Sequence, residues 1–225
     1  MHIEEFIQLK NEKFLNGGEL YTICPKGTFG SGKSSLPLGL LNTCEQSTFI
    51  YWPEEFGEST KGNLFPVALF IPEKRTVIVG KYHPVTHKCG GCDAWKQEKI
   101  LQVLGKLWES QFNIFYEGVI ISHTRTTYVH FHNEMMKKFP NRKRRGLWPF
   151  LYVHPLEAVR RIMSRGSKRS EVKGVKLLKV LEKYNTMIDW FPYYDKLDNN
   201  EAIWIDTHNG LKYTVEKILD FMGEL

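Results

Sequence analysis

The chain has 225 residues, of which 42% are hydrophobic and 25% charged, an ordinary balance for a globular protein and enough length for one well-packed α/β domain with an insertion or lid. No run approaches the ~18 apolar residues of a membrane span. The acidic, amphipathic start from Met1 to Phe6 does not read as a signal peptide, so the expected location is cytoplasmic. Net charge is +6, but it is unevenly spread: Lys137 to Lys173 holds twelve Lys/Arg against only Glu157 and Glu171. Such a concentration points to contact with polyphosphate or nucleic acid.

In chain order, residues 1–18 read as a short helical extension with Ile3, Phe6, Ile7 and Leu9 on one side, ending at Gly17-Gly18 and packing outside the core sheet. Leu20 to Cys24 reads as a buried strand. It runs into Gly27-Thr28-Phe29-Gly30-Ser31-Gly32-Lys33-Ser34, which fits G-x-x-x-x-G-K-[ST] at every required position. Ser35 to Leu41 then opens a helix that tolerates Pro37 only because it lies in the first turn. In this strand–loop–helix setting the glycines let backbone N–H groups curl around an anion, and the helix N-terminus adds its dipole. Phosphate contacts are therefore expected from Gly27 through Ser35, with Lys33 on the β- and γ-phosphates and the Ser34 hydroxyl on Mg²⁺.

Further on, Ser47 to Trp52 reads as a strand closed by Pro53, and 57–63 as a polar loop. Val67–Ile71 and Thr76–Gly80 read as a β-hairpin that delivers the chain to Lys81-Tyr82-His83 and Cys89-Gly90-Gly91-Cys92-Asp93. A helix is expected from Ala94 to Trp108, a strand from Phe112 to Tyr116 ending at Glu117-Gly118, and a helix from Thr126 to Lys138. The basic loop Arg142-Lys143-Arg144-Arg145 leads into a strand at Phe150–Val153, followed by a helix from Pro155 to Ser164. A polar, basic lid is expected at about 165–173, then an amphipathic helix from Val172 to Trp190, a last strand ending at Asp206, and a closing helix from Lys212. Alternating strands and helices imply a mostly parallel sheet with ligands beyond the carboxyl ends of its strands. Glu117, His154 and Asp206 fall at such ends.

Several side chains suit phosphoryl transfer. Asp93, after a glycine pair and beside a helix start, suits the carboxylate that accepts a hydroxyl proton, although an aspartate there also serves as a helix N-cap. Glu117 suits a Mg²⁺ or water contact. Arg161 and Arg165, four residues apart on one helical face, suit a phosphate chain, while Arg142 to Arg145 suit a nucleic-acid backbone. His83, His87, Cys89 and Cys92 have ligand-type side chains, but the C-x-x-C lacks a partner pair. Structural zinc is not expected. The four cysteines, Cys24, Cys44, Cys89 and Cys92, are expected as free thiols.

The phosphate loop Gly27–Ser34, Gly80-Lys81-Tyr82, Gly90-Gly91-Cys92-Asp93, Glu117-Gly118 and Pro155 through Arg165 together resemble a bacteriophage P-loop kinase family. Its members look like the 5-hydroxymethyluracil DNA kinases of phages that hypermodify thymine. The resemblance covers most of residues 20–222. It implies a single P-loop kinase domain over 19–225 with a five-stranded, mostly parallel core, a β-hairpin insertion and an arginine-bearing lid, similar to nucleoside, nucleotide and polynucleotide kinases. It further implies ATP-dependent, Mg²⁺-assisted phosphorylation of a hydroxymethyl group on a base already in DNA. Asp93 is then the base, Glu117 the metal- or water-positioning carboxylate and Arg165 a lid arginine. From the residues themselves, Lys81, Tyr82, Arg142 to Arg145 and Arg169 are expected to face the DNA, and Tyr82, Trp95 or His123 to stack on the exposed base, the Arg142–Arg145 loop having no counterpart in that family. Two other readings fit the same loop: a kinase of free deoxynucleosides or nucleotides, which has no need of Arg142–Arg145, and a non-enzymatic ATP-dependent DNA-binding module.

Overall fold

Five parallel strands organise the molecule. In the computed structural model, which describes residues 1–52, 66–81, 91–93, 95–118, 121–122, 124–164 and 173–224 (backbone alone for 173–176), β1 (Leu20–Ile23) is buried along its whole length. Burial on both faces is what a central parallel strand requires. On one side it pairs with β6 (Asn113–Tyr116), with Thr22 opposite Ile114. On the other it pairs with β7 (Arg144–Tyr152), with Leu20 opposite Arg144. β5 (Thr76–Val79) joins beyond β6, and β8 (Asn200–Asp206) beyond β7. The spatial order of the parallel core is thus β5–β6–β1–β7–β8, the five strands expected.

The sheet has eight strands among the described residues. β2 (Lys26–Gly27) pairs parallel with β7 at Phe150 and Leu151, just past the end of β1. β3 (Thr48–Ile50) and β4 (Ala68–Ile71) extend the β5 side antiparallel. The expected hairpin is therefore present, and its second arm, β5, is itself a core strand.

Helices cover both faces. On one lie α3 (Leu36–Leu41) and α8 (Gly210–Phe221), where Leu36, Leu40, Val215, Ile218 and Leu219 pack on Ile23, Leu69, Ile78 and Leu147. On the other lie α4 (Gln97–Leu107), α5 (Thr127–Lys138) and the long α7 (Lys173–Asp195), around Trp108, Tyr116, Tyr128, Trp148 and Tyr194. α6 (Pro155–Ser164) follows β7 directly.

Two sequence expectations change here. Residues 1–18 hold two short helices, α1 (Ile3–Gln8) and α2 (Glu12–Leu15), and α1 belongs to the core. Phe6 is fully buried, with its ring 5.0 Å from that of Phe70 and 5.3 Å from that of Phe112. The Ile3 N–H donates to the Tyr51 carbonyl at 2.9 Å, tying the amino end to the sheet edge. The second change concerns the basic loop. β7 begins at Arg144 because that residue pairs with β1, so Arg144 and Arg145 lie in the strand.

Candidate active site

The phosphate loop occupies the carboxyl end of β1, as a parallel sheet demands. After β2 the chain turns through Gly30 (φ +79°) and Gly32 (φ +97°), both in the left-handed region that favours glycine. A Cβ on Gly30 would stand 2.5 Å from the Ala158 carbonyl oxygen, so the loop seats directly on α6. Lys33 to Ser35 form a short 3₁₀ turn, and Pro37 sits in the first turn of α3, where its missing N–H costs nothing. The Lys33 ammonium donates to the carbonyls of Gly27 and Thr28, both at 2.8 Å. The buried Ser31 hydroxyl has no hydrogen-bond partner among the described residues, a polar atom turned into the loop.

Two acidic side chains meet this loop from other segments. Glu117, 3% exposed, follows β6, and its carboxylate accepts a hydrogen bond from the Ser34 hydroxyl at 3.4 Å. The Gly91–Asp93 segment is laid against it: the Cys92 N–H donates to the Glu117 carbonyl at 3.0 Å, and Lys81 N–H donates to the Gly91 carbonyl at 3.0 Å. The glycines make this approach feasible. A Cβ on Gly91 would overlap the Glu117 carboxylate, and one on Gly118 would stand 2.8 Å from Asp93 Oδ1. Gly91 and Gly118 therefore interlock, bringing the Asp93 and Glu117 carboxylates together. Asp93 is exposed and does not cap the next helix, whose N-cap is Lys96.

The electrostatics follow from this crowding. Burial pushes the Glu117 carboxyl up to about 6, and Asp93 adds to the rise while Lys33 and Ser34 oppose it. Burial likewise pushes Lys33 down to about 8, with Lys183 and Lys26 acting in the same direction against Glu117 and Asp93. Neither lysine was singled out from the sequence. Lys26 is fully buried on β2, and its ammonium donates to the Ile121 carbonyl at 3.0 Å beside the Trp148 and Tyr194 rings. Lys183 on α7 donates to the Ser122 carbonyl at 2.7 Å, and burial first, then Lys26, pushes it down to about 8. Three ammonium groups thus share one region at the loop, a field suited to an anionic chain.

A cavity of about 300 Å³ flanks the loop and is lined by Gly30, Gly32, Ser35, Arg161, Thr207 and Leu211 among others. Arg161 is brought to the loop, held there by Glu157 at 2.8 Å and by the Thr207 hydroxyl and carbonyl at 3.3 and 3.2 Å. His154 and Asp206 stand at the ends of β7 and β8 and are joined through His208, which accepts from the His154 N–H at 3.4 Å and meets Asp206 at 2.7 Å.

Other expected residues are not gathered here. Arg142, Lys143, Arg144 and Arg145 lie at the amino end of β7, across the sheet from the loop. Arg144 is 1% exposed: its guanidinium donates to the carbonyls of Phe112 (2.9 Å), Tyr21 (3.2 Å) and Ser110 (3.2 Å) and lies over the Trp108 ring. Its expected place on a nucleic-acid backbone is corrected, because every one of these contacts holds it inside the fold. Arg145 is paired with Glu19 and Glu201, and Arg142 lies over the Phe14 ring. Tyr82, His83, His87, Cys89, Gly90, His123, Arg165 and Arg169 are outside the described residues, as is most of the expected lid. Of the metal-type quartet, Cys92 is described, and its thiol lies 3.7 Å from the Val79 carbonyl. Among the described residues no group of three or more His, Cys, Asp or Glu could hold a metal ion, and no helix is long and apolar enough to cross a membrane.

The parallel core with a G-x-x-x-x-G-K-S loop at the end of its central strand defines an α/β protein of the P-loop class. Within that class, the chain is similar to a 5-hmdU DNA kinase of Bacillus phage SP10, at 30% identity over 156 residues, which bears out the resemblance carried by the motifs. The match covers 69% of this chain and 22% of the phage protein, so this chain spans about a fifth of that relative's length. A solved structure of deoxyadenosine kinase from M. mycoides with bound dATP aligns over 90% of this chain and 99% of that one, at 15% identity and a TM-score of 0.37. No family model matches the chain.

Proposed function

We propose that this chain is an ATP-dependent kinase that phosphorylates the 5-hydroxymethyl group of 5-hydroxymethyluracil in DNA, a step of thymine hypermodification in the cytoplasm of a phage-infected cell. One observation carries the reading: Lys33 and Ser34 of the phosphate loop, Asp93 and Glu117 come from three separated segments and meet at the carboxyl end of β1. The loop binds the triphosphate through its backbone N–H groups, and Lys33 turns from its own carbonyls to the β- and γ-phosphates. Ser34 and Glu117 supply the hard oxygen donors that Mg²⁺ takes, and a metal held there would neutralise phosphate charge. Asp93 accepts the proton of the acceptor hydroxyl as that oxygen bonds to the γ-phosphorus. The bond from phosphorus to the bridging oxygen breaks and its electron pair leaves with ADP. Arg161 adds charge beside the phosphates, and Lys81 borders the acceptor.

The placement of Arg142–Arg145 across the sheet favours a second reading, a free deoxynucleoside or nucleotide as acceptor, since those residues had been the reason to prefer DNA. Incubation with labelled ATP and, in parallel, hydroxymethyluracil-containing DNA or the free nucleoside and nucleotide decides between them. Label in DNA alone supports the first reading; label only in the small molecule overturns it. Asp93→Asn is expected to lower transfer by about 10²–10⁴-fold while ATP affinity is retained. Full activity in that variant removes Asp93 from the base role, and absence of any transfer by the wild-type protein returns the chain to a non-enzymatic ATP-dependent module.

A further inference from the structure

Lys179, Lys183, Thr186 and Trp190 recur along α7 at the spacing i, i+4, i+7, i+11, which places them on one helical stripe. That stripe borders a groove of about 500 Å³ whose opposite wall includes Phe29, the residue between Thr28 and Gly30 in the phosphate loop. Phe29 is 39% exposed. On the same helix Val180, Met187 and Tyr194 are buried, whereas Leu178, Leu181 and Ile188 are exposed on other faces.

The chemistry of the lining is specific. The Lys183 ammonium stands 4.5 Å from the centre of the Trp190 ring while donating to the Ser122 carbonyl, and an ammonium carries two further donors. Lys179 adds a second, exposed cation, against the single carboxylate of Glu182, and the Thr186 hydroxyl donates to the Glu182 carbonyl at 2.8 Å. Aromatic faces for bases beside an exposed ammonium group for phosphates is the pattern by which single-stranded nucleic acid is held. From Lys179 to Trp190 the helix rises about 16 Å, longer than a single nucleotide. Phe29 belongs to the phosphate loop, so the groove adjoins the catalytic end of the sheet.

We propose that this groove binds the DNA strand bearing the acceptor base, with bases stacked on Trp190 and Phe29 and backbone phosphates on the exposed Lys179, while the buried Lys183 holds the Trp190 ring in place. The proposal rests on the kinase reading above and replaces Arg142–Arg145 as the nucleic-acid contact.

The test measures binding of a fluorescein-labelled single-stranded oligonucleotide containing one 5-hydroxymethyluracil by anisotropy, in the absence of ATP. It compares wild type with Lys179→Glu, Trp190→Ala and the conservative Trp190→Phe, with ATP affinity of each as a folding control. The expected result is about tenfold or greater weakening in Lys179→Glu and Trp190→Ala, a shallower salt dependence in Lys179→Glu, and substantial rescue in Trp190→Phe, all at unchanged ATP affinity. Lys179 is exposed on α7, so its variant serves even where Trp190→Ala fails to fold. Wild-type affinity in Lys179→Glu, or no binding by the wild type, overturns the groove. If DNA is phosphorylated while the variants bind as wild type does, the groove fails and the kinase reading stands. If only free nucleoside is phosphorylated, both fall.

Discussion

Glu117→Gln should make the protein more stable and inactive at once. The folded Glu117 carboxyl holds its proton up to about 6, against 4.5 for an ordinary glutamate, because it is buried beside Asp93. A folded group that binds its proton more tightly than the unfolded chain contributes stability at low pH and loses it as pH rises through that window. By about pH 7.5 the whole shift counts against the fold, roughly 2 kcal/mol at ~1.4 kcal/mol per unit. A neutral amide of the same shape escapes that penalty, and the hydrogen bond it weakens, from Ser34, is already long at 3.4 Å. For a chain of this size the gain corresponds to about 4–8 °C in Tm at neutral pH, shrinking to under half near pH 5. Thermal unfolding of both proteins in EDTA at the two pH values measures it, alongside transfer, which should fall to background for want of the carboxylate proposed to hold Mg²⁺. A variant that is destabilised at neutral pH, or equally stabilised at both, refutes the idea that an ionised and desolvated Glu117 is held under strain for function.

Three other outcomes are expected. Because burial and neighbouring lysines bring Lys33 down to about 8, ATP affinity should fall as pH rises through that value and the ammonium is lost; titration calorimetry at rising pH checks it, and flat affinity up to about pH 9.5 would count against Lys33 as the phosphate contact. Arg144→Met should cost on the order of 3 kcal/mol or more by leaving the carbonyls of Tyr21, Ser110 and Phe112 unpaired, seen as a lower denaturant midpoint, whereas Lys143→Glu on the exposed side should leave both stability and phosphoryl transfer near wild type. Gly91→Ala should abolish transfer without reducing the loop's grip on ATP to the same extent, because the new methyl group pushes the Glu117 carboxylate aside; equal loss of both would place the damage in the fold as a whole.

The phosphate loop was legible in the residues themselves, because its conformation depends on local requirements: glycine at left-handed positions, a lysine and a hydroxyl at fixed spacing, and a proline confined to a first turn. The inner strands β1, β5 and β6 were legible for the same reason, their apolar runs announcing burial on both faces. Asp93 and Glu117 were visible as candidates, but only folding decided that Gly91 and Gly118 interlock to set the two carboxylates side by side. The basic segment shows the opposite case. Charge density alone cannot say which end of a strand a residue occupies, and pairing with β1 carries Arg144 into the interior at the end remote from the loop. Nor does a lysine's type reveal its environment: Lys26 and Lys183 look like surface residues until the rings of Trp148, Tyr194 and Trp190 close around them. Local chemistry settled what this chain can hold at the end of β1. The long-range packing of the sheet settled which charges face it, because that depends on which strands lie side by side.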